Sequence, residues 1–138
     1  MYSVQNLTEV TDCEMLLTLS QKEKADLEYK KLSAERLTTR YSENSVEIEA
    51  TLQGVLAELE AVDTILSTLA EGPTRDDLLN RKTRLEYKKF LLENRKASYG
   101  AVALLEKEMD LARINREIIE VGDFIDAING RKEELETV

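Results

Sequence analysis

At 138 residues the chain has the length of one domain, and its 28 acids against 19 bases give a net charge of −9. That balance excludes DNA or RNA binding as the main task, and docking on an anionic membrane, because phosphate contacts need a basic surface. Histidine is absent, which removes Ser-His and Cys-His nucleophile pairs, nearly all zinc sites and the Glu-x-x-His motif of carboxylate di-iron bundles.

Charged residues are 34% of the chain, and Glu, Lys, Leu, Ala and Arg recur with helical periodicity. This is the composition of long helices and coiled coils. The first ten residues, MYSVQNLTEV, have neither a basic nor an apolar leader region, and no apolar run is long enough for a transmembrane helix. The single Cys13 cannot form an intramolecular disulfide, so a cytoplasmic setting is expected.

The first helical arm is expected over about 8–71. Thr11-Asp12-Cys13-Glu14 fits a capping box, with Ser20-Gln21-Lys22-Glu23 as a later alternative start. Cys13 beside Met15, Leu16, Leu17 and Leu19 reads as a small core residue. That segment holds more apolar groups than one helix seam requires. Further along, Ile48, Leu52, Val55, Leu59, Val62, Leu66 and Leu69 alternate steps of four and three, which is a heptad seam. Leu56 and Ile65 widen it toward a second neighbour. Met15, Leu16, Leu17, Leu19, Leu56 and Ile65 are therefore the candidate self-association or partner interface.

Gly72-Pro73, with the chain's only proline, is the strong break, and it sits near the midpoint. It predicts a turn over 72–74, with Gly72 closing the first arm. The second arm is expected over about 75–129. Its later half carries the seam Leu111, Ile114, Ile118, Val121, Ile125 and Ile128, and Asn129-Gly130 is a C-cap ahead of a frayed tail, 130–138.

If the chain folds back at residues 72 and 73, Leu27 faces Ile118, Ala34 faces Leu111, Tyr41 faces Leu104 and Val55 faces Phe90. The pairing is imperfect, since Ser20 meets Ile125. Charge favours the same fold-back. Residues 42–72 hold seven acids and no base, while 75–96 hold eight bases and four acids. A faint repeat, Leu27-Glu28-Tyr29-Lys30-Lys31 and Leu85-Glu86-Tyr87-Lys88-Lys89, aligns Tyr41 with Tyr99.

These features predict an all-α single domain over 1–138: an antiparallel hairpin of two long helices that pairs into a four-helix bundle as a homodimer. The alternative is a compact single-chain up-down four-helix bundle, with extra turns near 42–45 and 99–101. No Gly-rich phosphate loop is present, and acids spaced i,i+2, such as Glu58 and Glu60, point to different helix faces. The expected function is a non-enzymatic coiled-coil interaction or scaffold module, with no cofactor, no metal, no nucleic acid and no membrane. The alternative function is a bundle that binds a small apolar ligand or client peptide between its helices.

Overall fold

In the computed structural model, which describes residues 1–137, the chain is all-helical. A 3-10 turn, Val4–Asn6, precedes α1 (Val10–Leu66, 57 residues). A second helical stretch is bent into α2 (Pro73–Tyr99) and α3 (Ala101–Glu136). The chain divides into two compact units. Unit 1 is Met1–Leu37 with the described part of Glu108–Val138, and unit 2 is Thr38–Lys107.

The helix ends depart from those expected. α1 stops at Leu66, five residues short of the expected end, because side chains capture its last carbonyls. Arg75 donates to the carbonyls of Leu66 (2.7 Å) and Leu69 (3.0 Å), while the Ser67 and Thr68 hydroxyls donate to those of Thr64 and Ile65. The connection is therefore 67–72, not 72–74. Gly72 does not close the first arm but N-caps α2, at φ 156° and ψ −178°, a region essentially restricted to glycine. Pro73 is the first helical residue, where its missing N–H costs nothing.

The extra turn near 42–45 is not formed. Those residues lie inside α1, where no proline interrupts the hydrogen-bond ladder. Near 99–101 there is a break. Gly100 is extended, its N–H donates to the Lys96 carbonyl at 2.7 Å, and a Cβ built there would lie 2.2 Å from that same oxygen. Only a residue without a side chain fits this close approach. Tyr41 and Tyr99 pack beside it at 5.3 Å between ring centroids, with Lys107 over the Tyr41 ring.

The Asn129-Gly130 cap and frayed tail are also corrected, since α3 continues to Glu136. Arg131 and Lys132 are held by tertiary partners described below, and these outweigh the roughly 1 kcal/mol cost of a mid-helix glycine. Val138 lies outside the described residues. At the other end Thr11 is inside α1, so the capping box does not form as written.

In unit 2 the core is Leu52, Val55, Leu59, Val62 and Leu66 of α1 against Leu85 and Leu92 of α2. The α1 seam is as expected from Ile48 to Leu66, while Leu69 falls in the connection and is half-buried. The α2 seam is not as expected: Phe90 is 56% exposed and outside the core, and Leu92 takes the inward place. The inward positions of α2 alternate Leu78, Lys82, Leu85, Lys89, Leu92, Lys96, a heptad whose second apolar position is lysine. The ammonium groups of Lys82 and Lys96 cross to acids of α1, while Lys89 pairs along its own helix with Glu93. Lys82 meets Asp63 at 2.7 Å, and Lys96 meets Glu49 at 3.0 Å. Both pairs fall in the fold-back register and join the acidic segment to the basic one.

Unit 1 packs Cys13 and Leu17 of α1 against Ile128 of α3, with Val4, Leu7, Phe124 and Leu135 around them. The N-terminal segment is strapped down. Arg131 donates to the Leu7 carbonyl at 3.0 Å, Tyr2 donates to Glu120, and the Tyr2 and Phe124 rings meet edge to face at 4.9 Å. Lys132 pairs with Glu14 at 3.7 Å, again within one residue of the expected register.

Candidate interaction surfaces

The heptad positions divide the outside of unit 2 into two broad faces, and ion pairs mark each. On one face lie Glu49, Leu56, Glu60 and Asp63 of α1 and Leu79, Glu86, Phe90 and Glu93 of α2. Here the lysines of the seam surface to meet their acids. The Lys96 ammonium, with the Gln53 amide, holds the Glu49 carboxyl below its ordinary 4.5. Asp63, and to a smaller degree Glu86, hold the Lys82 ammonium above its ordinary 10.5.

On the other face lie Gly54, Glu58, Ala61 and Ile65 of α1 and Arg81, Arg84, Lys88, Leu91 and Arg95 of α2. A single ion pair crosses it, Arg81 to Glu58 at 3.4 Å. Arg84, Lys88 and Arg95 make no ion pair among the described residues.

The first face is concave. A groove of about 600 Å³ runs along it, with Leu56 and Leu59 on its floor and Glu60, Thr64, Lys82 and Lys89 on its walls. Phe90 stands exposed on the same face. Unit 1 has its own cleft, about 340 Å³, between Leu19 and Glu23 of α1 and Val121 and Phe124 of α3, with Tyr2 at its edge.

The six candidate interface residues are divided between the two units, and within each unit they do not share one face. Leu17 is buried in the unit 1 core, and Leu16 packs half-buried against it. Met15 (71% exposed) and Leu19 (67% exposed) face outward from the same helix. In unit 2 Leu56 belongs to the grooved face, while Ile65 belongs to the opposite one and is 44% exposed. Helical phase separates them: residues two apart in sequence point about 200° apart, so a dense apolar run cannot lie on one face.

Phe90 was missed as a surface residue because pairing residues equidistant from the turn is insensitive to helical phase. Stepping the heptad back from Tyr99 by three and four would have excluded it. Cys13 is fully buried, in keeping with a core role. Among the described residues no three acidic or thiol side chains converge as metal ligands would, and no helix is long and apolar enough to cross a membrane. Comparison with protein families, curated proteins and solved structures found no match to this chain.

Proposed function

We propose that the chain is a non-enzymatic interaction or scaffold module, an antiparallel coiled-coil hairpin that works as a homodimer. The observation that carries this reading is apolar surface left exposed within each unit. In unit 2 Ile65 of α1 and Leu79, Phe90 and Leu91 of α2 are exposed, and in unit 1 so are Met15, Leu19 and Ile119. A standard specific interface hides about 800 Å² on each partner, so self-association is a ready way to cover them.

The state of the α3 seam supports the same conclusion. Leu111, Ile114, Ile118, Val121 and Ile125 have the spacing of core residues, yet they are only half-buried. Ile128 is buried where Val4 and Leu7 add a third layer over two helices. Two helices alone have too little interior to enclose so wide a stripe, and a second chain supplies the missing layer.

On this reading the module acts by holding helix faces at fixed separations for a partner. A cytoplasmic setting suits its one buried thiol. Sedimentation equilibrium of the full chain tests the proposal. The expected mass is twice 15.7 kDa at micromolar concentration. A mass of 15.7 kDa at every concentration up to hundreds of micromolar overturns it.

A further inference from the structure

We infer that the grooved face of unit 2 is where a second copy of this chain docks, with Phe90 of each copy entering the groove of the other. The inference rests on the self-association proposed above and names the surface that carries it. Phe90 is an exposed aromatic side chain of α2 on the grooved face, and it packs against none of the unit 2 core. The groove on the same face has an apolar floor, Leu56 and Leu59, and its volume of about 600 Å³ leaves room for an aromatic ring. A knob and a hole on one surface make that surface self-complementary, which is what a two-fold interface requires.

The register is compatible. Leu56 and Phe90 lie side by side in the fold-back pairing of α1 with α2. A two-fold axis parallel to these helices sets α1 of one copy over α2 of the other at the same height. The partner's Phe90 then lies over Leu56, and each helix gains a second antiparallel neighbour, the arrangement of a four-helix cross-section.

Ion pairing favours this face over the opposite one. Lysines of the same chain pair with four of its five acids: Asp63 and Glu86 with Lys82, Glu49 with Lys96, and Glu93 with Lys89 at 3.9 Å, which leaves a net charge of −2. Two copies then meet with most of their facing acids already paired. The other face carries Arg84, Lys88 and Arg95 without ion pairs, so stacking it on itself would bring like charges together. An aromatic anchor ringed by polar groups is also a usual form of interface hot spot.

Sedimentation equilibrium on the full chain with Phe90→Ala, Phe90→Glu and Leu91→Ala tests the inference. Leu91 is a matched control, 44% exposed on the opposite face. Neither side chain belongs to the unit 2 core, so far-UV circular dichroism should be unchanged in all three. The inference expects Phe90→Ala to raise the dimer dissociation constant at least about 30-fold, Phe90→Glu to raise it further, and Leu91→Ala to leave it within about threefold. Dimers that persist in both Phe90 variants overturn this surface and leave self-association standing. A dimer lost through Leu91→Ala instead places the interface on the other face and overturns it too. A wild-type chain that is monomeric throughout removes both proposals.

Discussion

Two glycines control where the backbone changes direction, each for a different reason. Gly72 holds a φ of 156° that side chains rarely adopt, although there is open space around it. Gly100 has an ordinary extended φ of −83° but no room, because the Lys96 carbonyl occupies the place of a Cβ. Gly72→Ala is therefore strained by conformation and is expected to cost about 1–3 kcal/mol in urea unfolding. Gly100→Ala forces the backbone to move and should cost a similar amount, roughly 1–3 kcal/mol. The two should differ in a second measurement. Only Gly100→Ala should alter the near-ultraviolet circular dichroism of the tyrosines, since Tyr41 and Tyr99 pack beside that bend.

Between α1 and α2 the unusual feature is a seam that alternates leucine with lysine. Its lysines link the packing of unit 2 to pH. The Glu49 carboxyl is held below its ordinary value, so its contribution is complete above 4.5 and is lost as pH falls through the lower folded value. The Lys82 ammonium is held above its ordinary value, so its contribution is complete below 10.5 and is lost as pH rises through the higher folded value. Stability from these pairs therefore has a plateau between the two limits. Both pairs are substantially exposed, so each effect is small and screened by salt. Glu49→Gln should lower the melting temperature at pH 7 and shrink its drop between pH 7 and pH 3. Lys82→Met, which keeps the apolar stem, should instead flatten the fall in melting temperature at alkaline pH.

For the whole molecule, charge divides unevenly. Unit 1 holds 16 acids and 9 bases, and unit 2 holds 12 and 10, net −7 and −2. Repulsion between copies is therefore weaker for contact through unit 2, in line with the face inferred for docking. A chain stabilised by its own second copy must unfold at a temperature that depends on concentration. A hundredfold dilution of the full chain should lower the melting temperature by several degrees. A melting temperature independent of concentration over that range would instead mark a self-sufficient monomer.

The amino-acid sequence by itself determined that the protein is helical, where the apolar seam of α1 lies, and which acidic and basic segments attract one another. Those properties follow from local periodicity and from the order of charges along the chain, which need no knowledge of distant neighbours. Only the tertiary structure decided where the helices end and which residues of α2 point inward. Leu66 ends α1 because Arg75, nine residues away, reaches back to its carbonyl, and α3 outlasts Gly130 because Arg131 and Lys132 find partners near the N-terminus. The lysine-bearing seam could not be read from hydrophobicity, since its lysines have apolar stems and charged tips. Phe90 looked like a core residue by its chemistry, and its outward position was settled by the phase of a helix whose inward face Leu85 and Leu92 had already taken.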